Sequence, residues 1–216
     1  MIELKNVTYS YPQSSTPILK NLNAAFDAGE IVAITGRNGC GKTTVTKLIT
    51  GVFRPDEGKI LIDDEDISNM DLFEIGQRAG YVFQDPSRQL FCETVRAEIA
   101  YGLKNLGFSS EKIKETADYY MEMFHITHLA DRFPGKLSQG EKQRVALAAV
   151  LSMGNRYVIL DEPTTGLDMR SRKSLGMLLG QIRDEGRGVI IVSHEKEFCK
   201  KYVDWLWNMG EVTDEA

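Results

Sequence analysis

Three short runs of apolar residues mark the centre of the predicted fold. They are "IVAIT" (Ile31 to Thr35), "YVIL" (Tyr157 to Leu160) and "VIIVS" (Val189 to Ser193). Each run is β-branched or aromatic and lacks the polar alternation of a strand with one face in water. The pattern therefore predicts buried strands of a parallel sheet.

Two other segments have different patterns. "PDEGKILIDDEDI", Pro55 to Ile67, combines a glycine-containing turn, an alternating strand from Lys59 to Asp63 and an acidic turn. This combination indicates an antiparallel hairpin beside the parallel sheet. The region from about Thr94 to Leu151 is rich in Ala, Glu, Lys, Leu and Met, which favour helix. We therefore predict one mixed α/β unit with a helical insertion.

The composition narrows the class of protein. The 216 residues are 42% hydrophobic and 26% charged, as in a globular protein, and the formal net charge of -5 makes a nucleic-acid partner unexpected. No apolar run approaches the roughly 20 residues that cross a bilayer, and the first residues lack a signal-peptide pattern, so we expect a cytosolic chain. The widely spaced Cys40, Cys92 and Cys199 predict neither a disulfide framework nor a zinc site.

The segment "GRNGCGKTT" directly follows the first apolar run and precedes apolar residues at helical spacing. It matches the GxxxxGK[ST] pattern of a phosphate-binding loop in the strand, loop and helix context that the pattern requires. Its glycines let backbone N–H groups turn inward, and the following helix directs its positive end at the same phosphates. Lys42 is expected to reach the β- and γ-phosphates, and Thr43 to offer a hydroxyl to Mg²⁺. We predict nucleotide contacts from Gly36, Arg37, Asn38, Gly39, Cys40, Gly41, Lys42, Thr43 and Thr44.

Charged or titratable residues follow the other two apolar runs. Asp161 and Glu162 follow the second run, and adjacent strand residues point in different directions, so their carboxylates can have different roles. Because ligands bind beyond the carboxyl ends of parallel strands, we expect Asp161 near Mg²⁺ and Glu162 near the γ-phosphate, polarising the attacking water. His194, after the third run, is placed to hydrogen-bond the γ-phosphate or that water. A solvated acidic turn and a structural histidine are the alternatives.

The stretch "LSQGEKQRV", Leu137 to Val145, has two interpretations. Ser138 and Glu141 form the S-x-x-E pattern of a capping box, which many helices have without a catalytic role. Gly140 is poor for helix propagation, which indicates that the backbone there approaches another group closely. A helix N-terminus with a hydroxyl and a glycine N–H suits an anion. Because the phosphate loop encloses the chain's own nucleotide, we expect this motif to face the nucleotide of another protomer.

With the phosphate loop, "LSQGEKQRV", "VILDEP" and "VSHE" in this order, the sequence resembles the ATP-binding subunits of ABC transporters over essentially its whole length. The resemblance implies an α/β fold of the P-loop NTPase (RecA-like) type, in which a parallel-sheet core carries an antiparallel β-subdomain and an inserted α-helical subdomain. It implies a single domain of residues 1–216, with the core at about 1–86 and 152–216 and the helical subdomain at about 87–151.

The resemblance also implies roles for individual residues. Tyr11 matches the aromatic residue that stacks on adenine, and Gln84 matches the glutamine that contacts Mg²⁺ and water and senses the membrane partner. Glu162, His194 and Gln84 are then catalytic, and Thr43, Gln84 and Asp161 hold Mg²⁺. Two protomers, either identical or related chains, pair head to tail, and the contacts with the partner's nucleotide come from Ser138, Gln139, Gly140, Glu141 and Asp168. Gln139 and Glu141 depart from the common LSGGQ pattern of this family.

A narrower resemblance covers Gln84 to Phe108, which is similar to the same region of energy-coupling factor and cobalt or nickel importer ATPases. In those proteins Gln-Leu-Phe follows the glutamine loop, as Gln89, Leu90 and Phe91 do here. This implies an ATP hydrolase on the inner face of the cell membrane, bound to an integral membrane coupling subunit that serves import of a vitamin or transition-metal ion. Two alternatives stay open: the ATPase of another ABC importer class, and a soluble ABC ATPase acting on nucleic acid or ribosomes.

Overall fold

The computed structural model describes residues 1–12, 14 and 16–209, which contain nine strands and seven α-helices. The strands are β1 (Ile2–Tyr9), β2 (Leu19–Phe26), β3 (Ile31–Thr35), β4 (Glu57–Ile62), β5 (Glu65–Asp66), β6 (Ala79–Val82), β7 (Tyr157–Asp161), β8 (Gly188–Val192) and β9 (Trp205–Asn208). The helices are α1 (Lys42–Ile49), α2 (Leu72–Arg78), α3 (Val95–Asn105), α4 (Ser110–Met123), α5 (Gln139–Leu151), α6 (Met169–Asp184) and α7 (Lys196–Tyr202). The predicted domain extends to residue 216, so residues 210–216 of it lie outside this description.

The central sheet is parallel and has the strand order β6-β7-β8-β3-β9. Its three middle strands are the three predicted apolar runs, with bounds that agree to within one residue at each end. The two outer strands were not predicted. Each has only four residues, and β9 exposes Trp205 and Leu206, so neither has the continuous apolar run of a buried strand.

Alternate residues of the middle strands face two different layers. In β7, Val158 and Leu160 pack into a hydrophobic cluster with helices α3 to α6, whereas Tyr157 and Ile159 pack into a cluster with the antiparallel sheet and α1. Because successive side chains of a strand point to opposite faces, one short strand contributes to both cores. The central sheet is therefore covered on both sides, as its unbroken apolar pattern predicts.

A second, antiparallel sheet has the strand order β2-β1-β4-β5. The predicted hairpin within 55–67 is formed by β4 and β5, but the strand begins at Glu57 and ends at Ile62, and Asp63 lies in the turn. Asp63 and Asp64 have φ angles of 52° and 66°, the left-handed conformation of a two-residue hairpin turn. The first two strands of this sheet were not identified individually from the sequence.

The segment between β6 and β7 is helical, as predicted. Thr94, Ser109 and Ser138 cap the helices α3, α4 and α5, because each side-chain oxygen accepts a backbone N–H from the first turn. The apolar face of α5 shares one hydrophobic cluster with β6 and β7. Of the helices that the structure describes, none is both long enough and apolar enough to cross a membrane.

The backbone at Gly140 touches the loop that precedes α6. A Cβ atom at position 140 would lie 2.5 Å from the carbonyl oxygen of Gly166. The close approach that the sequence indicates at Gly140 is therefore made to the chain's own loop. This contact is sufficient to explain the glycine, so Gly140 does not by itself indicate the nucleotide of another protomer.

Gly140→Ala should lower the free energy of unfolding by about 1–3 kcal/mol, because the added methyl group must displace the Gly166 carbonyl or tilt α5. Gly180→Ala is the matched control: Gly180 lies within α6, and a Cβ atom there meets nothing within 4 Å. Alanine at 180 should stabilise the chain by about 0.5–1 kcal/mol through helix propensity. Denaturant unfolding measures both changes, and a stabilised Gly140→Ala variant would contradict the contact.

Candidate functional site

The carboxyl ends of β3, β7 and β8 border a cleft of about 760 Å³. Ligands of parallel sheets bind at this end of the strands. The cleft brings together residues that are far apart in the sequence but were predicted to act together. Its lining includes Tyr11, Asn38, Gly39, Gly41, Lys42, Thr43, Thr44, Gln84, Asp161, Glu162 and His194.

The phosphate loop is held in a fixed geometry around Lys42. The buried Lys42 Nζ donates to the carbonyl oxygens of Gly36 and Arg37, at 3.0 and 2.9 Å. Gly41, the residue before α1, has a φ angle of 99°, and a Cβ atom there would lie 2.7 Å from the Leu19 side chain. Only glycine fits at this position without strain. The loop thus brings an ammonium group and the N-terminus of α1 to one point.

Three predicted loop contacts lie at the edge of the cleft or away from it. The Arg37 side chain is exposed, and its contribution to the loop is the carbonyl that Lys42 contacts. Cys40 packs against the cluster formed with the antiparallel sheet. Gly36 borders a separate cavity between β9 and α7. Their predicted role in binding therefore concerns the backbone of the loop.

Asp161 has a buried carboxylate, and its two oxygen atoms differ in their hydrogen bonding. Its Oδ2 accepts a hydrogen bond of 3.3 Å from Tyr81, whereas its Oδ1 is buried and has no hydrogen-bond partner among the described residues. Burial raises the pKa of Asp161, and the Thr43 and Tyr81 hydroxyls and the charges of Lys47 and Lys42 offset part of this rise. A buried carboxylate oxygen beside a threonine hydroxyl is a fitting environment for a hard cation such as Mg²⁺.

Glu162 and His194 form a pair at the ends of β7 and β8. The distance between Glu162 Oε1 and His194 Nε2 is 3.4 Å, and the Glu162 N–H donates to the Val192 carbonyl at 2.9 Å. Glu162 has a φ angle of 50°, which is rare for a residue with a side chain and is typical of functional sites. Burial raises the pKa of Glu162, and the neighbouring His194 lowers it in part. A carboxylate with a raised pKa is a better proton acceptor.

Tyr11 lies at the opposite rim of the cleft. Its hydroxyl is 2.9 Å from the Thr44 hydroxyl, and its ring packs edge-on against Tyr9 and Phe53, with centroids 5.4 and 5.8 Å away. The ring is nevertheless 40% exposed. Tyr11 therefore packs against Tyr9 and Phe53 and still presents an exposed ring surface.

Gln84 is exposed on a loop that another glutamine holds in place. Gln89 Oε1 accepts the Phe83 N–H at 3.1 Å, and Gln89 Nε2 donates to the Tyr81 carbonyl at 2.9 Å. These two bonds close the loop that carries Gln84 at the end of β6. The sequence placed Gln89 in the Gln-Leu-Phe motif but did not predict that it holds the loop. Its partners are backbone groups, which a pattern of side chains does not reveal.

The five residues predicted to contact a partner's nucleotide do not line the cleft. Ser138 and Glu141 form a capping box at the start of α5, as predicted, and Asp168 caps α6 by accepting the Ser171 N–H at 2.7 Å. Arg144 lies 3.5 Å from the Asp168 carboxylate and joins the two helix ends. These residues form a second polar surface, which we call the signature surface: Ser138, Gln139, Gly140, Glu141 and Asp168.

The start of α5 is also attached to the loop that follows Gln84. Lys142 Nζ donates to the Ser87 hydroxyl at 3.4 Å. Ser87 and, to a smaller extent, the nearby Gln139 side chain hold the pKa of the Asp85 carboxyl below its usual range. Asp85 in turn accepts the Ser87 N–H at 3.1 Å. The start of α5 and the Gln84 loop are therefore in direct contact through Lys142, which the sequence did not indicate.

Comparisons with known proteins agree with this geometry. The ABC transporter family model matches residues 19–165. A putative ABC transporter ATP-binding protein of Pyrococcus furiosus is 40% identical over 214 residues, covering 98% of this chain and 82% of the relative. An energy-coupling factor transporter ATP-binding protein of Methanothermobacter thermautotrophicus is 39% identical over 220 residues, covering 100% of this chain and 70% of the relative.

Solved structures agree as well. The structure of cbiO1 from Clostridium perfringens, named as part of the ABC transporter complex cbiONQ, has a TM-score of 0.80 and 34% identity, covering 96% of this chain and 83% of that one. A dimeric ATP-binding cassette bound to ADP and Pi, in a post-hydrolysis state, has a TM-score of 0.87 and 27% identity, covering 96% and 94%. The chain therefore belongs to the ABC transporter family, as one of its ATP-binding and ATP-hydrolysing subunits.

Proposed function

We propose that this chain powers an importer of the energy-coupling factor type, for a vitamin or a transition-metal ion, and that it acts as a head-to-tail dimer. The main support for the dimer is the position of the signature surface, which lies outside the chain's own cleft. Relatives named energy-coupling factor transporter ATP-binding proteins and the cbiO1 structure support the importer class.

In this proposal the cleft binds ATP through the phosphate loop. The Lys42 ammonium exchanges its two carbonyl partners for the β- and γ-phosphates, and the N–H groups of Gly36 to Thr44 surround the phosphate chain. Tyr11 offers its exposed ring to the adenine. The position of Gly41, Lys42 and Thr43 in the lining of the cleft supports this arrangement, because the free N–H groups at the start of a helix favour a phosphate.

Thr43, Gln84 and Asp161 are the proposed ligands of Mg²⁺. The support is the buried Asp161 Oδ1, which has no hydrogen-bond partner among the described residues, and the adjacent Thr43 hydroxyl. When bound, Mg²⁺ neutralises charge on the β- and γ-phosphate oxygens. Asp161 is the last residue of the buried strand β7, and Thr43 lies in the first turn of α1.

Glu162 is the proposed general base, with His194 and Gln84 as its catalytic partners. As the water oxygen attacks the γ-phosphorus, the Glu162 carboxylate accepts a water proton, and the bond to the β–γ bridging oxygen breaks with its electron pair leaving on ADP. His194, 3.4 Å from Glu162, donates to the charge that develops on the γ-phosphate. Gln84 orients the water from the other side of the cleft.

The second protomer completes the site. Ser138, Gln139, Gly140, Glu141 and Asp168 would face the nucleotide held in the partner's cleft. ATP binding would close the dimer, and hydrolysis would reopen it. We propose that residues 1–216 form one domain, with the core at about 1–86 and 152–216 and the helical subdomain at about 87–151.

An integral membrane coupling subunit would dock beside the Gln84 loop, with the chain peripheral on the cytoplasmic face. Phe91 is 64% exposed and Tyr101 is 47% exposed, and the two rings form an edge-to-face pair with centroids 4.9 Å apart. An exposed aromatic pair next to the loop is a suitable contact for a partner. No nucleic-acid partner is proposed, since the formal net charge of -5 offers no basic surface field.

Glu162→Gln should reduce ATP hydrolysis by at least about 100-fold, because the amide cannot accept the water proton. ATP should still bind, and an ATP-bound dimer should accumulate. Phosphate release, nucleotide binding and light scattering after size exclusion measure the three properties. Exposed Glu111→Gln on α4 is the control and should keep full turnover; undiminished turnover in Glu162→Gln would remove Glu162 from the catalytic role.

Asp161→Asn should abolish hydrolysis and also stabilise the nucleotide-free protein. Because burial raises the pKa of Asp161, its ionised form lowers stability at neutral pH, and this cost disappears as the pH falls through the raised pKa. The neutral amide removes the cost, so the midpoint of thermal unfolding should rise by a few degrees at pH 7 and much less at acidic pH. Exposed Asp131→Asn should change neither property. A lower midpoint for Asp161→Asn would contradict the assignment.

Phe91→Ala should reduce, severalfold, the membrane protein that co-purifies with this chain in detergent, because a central aromatic contact is lost. ATP binding should not change, since Phe91 does not line the cleft. Tyr119→Ala, at a residue that is 50% exposed on α4, is the matched aromatic control. Mass spectrometry of the purified complex gives the result. Co-purification with ribosomes or nucleic acid in place of a membrane protein would support the soluble alternative.

A further inference from the structure

Both polar hydrogens of Ser138 are directed at one carboxylate. The Ser138 N–H donates to Glu141 Oε2 at 2.8 Å, and the Ser138 hydroxyl donates to the same oxygen at 2.7 Å. The Glu141 N–H approaches the Ser138 hydroxyl oxygen at 3.4 Å, which completes the capping box. The hydroxyl proton of Ser138 is thus engaged within the chain and is not directed outward.

The carboxylate of Glu141 is charged and only partly exposed. Hydrogen bonds from Ser138 hold the pKa of Glu141 below its usual range, and the charges of Arg144 and Arg132 lower it further. Arg144 is shared with the Asp168 carboxylate, 3.5 Å away. Two carboxylates, Glu141 and Asp168, therefore lie on the same surface that would meet the phosphates of a partner's nucleotide.

We propose that Glu141 acts as a closure gate: its carboxylate retains the Ser138 hydroxyl and repels the partner's triphosphate, so the dimer closes only when this hydrogen bond breaks. The inference rests on the proposed head-to-tail dimer and adds a regulatory element to it. Closure then requires Ser138 to exchange Glu141 for a γ-phosphate oxygen, and requires Arg144 and Arg132 to neutralise the carboxylate. Glu141 acts through Ser138 and through its charge, so it is a positioning residue.

Helix capping alone does not require this charge. A capping box works with glutamine as well as glutamate at its last position, because either side chain accepts the N–H of the capping residue. Glu141→Gln thus keeps the helix start while removing the negative charge. A second capping box, Asp71 with Glu74 at the start of α2, has both hydrogen bonds at 2.8 Å and lies outside the signature surface. Glu74→Gln is therefore a matched control.

The test measures ATP-dependent dimerisation in a background that hydrolyses slowly. Each variant is combined with Glu162→Gln, and sedimentation equilibrium at saturating ATP and Mg²⁺ gives the dimer dissociation constant. Glu141→Gln should tighten the dimer by about tenfold or more, because juxtaposed like charges at an interface are costly and a dimer of two copies contains two gates. Glu141→Asp keeps the charge and should not tighten the dimer. Thermal unfolding of each variant checks that α5 remains intact.

The possible outcomes distinguish a failure of the Glu141 gate from a failure of the proposed head-to-tail dimer. A tighter dimer for Glu141→Gln, with Glu74→Gln unchanged, supports the gate. If Glu162→Gln forms an ATP-dependent dimer that Glu141→Gln leaves equal or weaker, the gate is wrong and the dimer stands. If Glu74→Gln tightens the dimer equally, the effect belongs to net charge and the gate is also wrong. If no variant dimerises with ATP, the pairing of two copies is wrong, and the gate falls with it.

Discussion

The burial of β7 and β8 on both faces is the constraint on which the rest of the structure depends. All five residues of each strand are buried, and alternate side chains enter two separate hydrophobic clusters. Polar groups can therefore be placed only where these strands end. Asp161, Glu162 and His194 lie at those ends, and the phosphate loop lies at the end of the neighbouring β3. The position of the cleft follows from the same packing that stabilises the sheet.

This arrangement places charge where burial is unfavourable. Burial raises the pKa of both Asp161 and Glu162, which means that each carboxylate is less stable as an anion here than in water. Lys42 and His194 compensate only in part. Because the two carboxylates are only partly neutralised, binding of a cation and a phosphate chain releases more free energy here than at a fully paired site. The same unpaired charge therefore lowers the stability of the unliganded cleft and raises its affinity for ligands.

Much of this could be predicted from the sequence, because the signals were local. Continuous apolar runs gave the three middle strands, and the phosphate loop has a fixed spacing that needs only its neighbours in the chain. The outer strands β6 and β9 have four residues each and become strands only through pairing with β7 and β3. The same holds for Gln89, Tyr81 and the contact between Gly140 and Gly166. Each of these depends on a partner that only the folded chain brings near. The spacing of apolar residues along the sequence does not predict such a partner.

Gln139 and Glu141, the two residues of "LSQGEKQRV" that depart from the common LSGGQ pattern, have partners within the chain. The Gln139 side chain lies near Asp85 in the loop after Gln84, where it adds to Ser87 in lowering the pKa of the Asp85 carboxyl, and Glu141 accepts two hydrogen bonds from Ser138. A glycine at 139 would have no side chain to make the first of these contacts. Together with the hydrogen bond from Lys142 to Ser87, the Gln139 side chain therefore places the start of α5 against the Gln84 loop. In a protein whose cleft and signature surface are proposed to act on different nucleotides, such a contact links the two surfaces within each protomer.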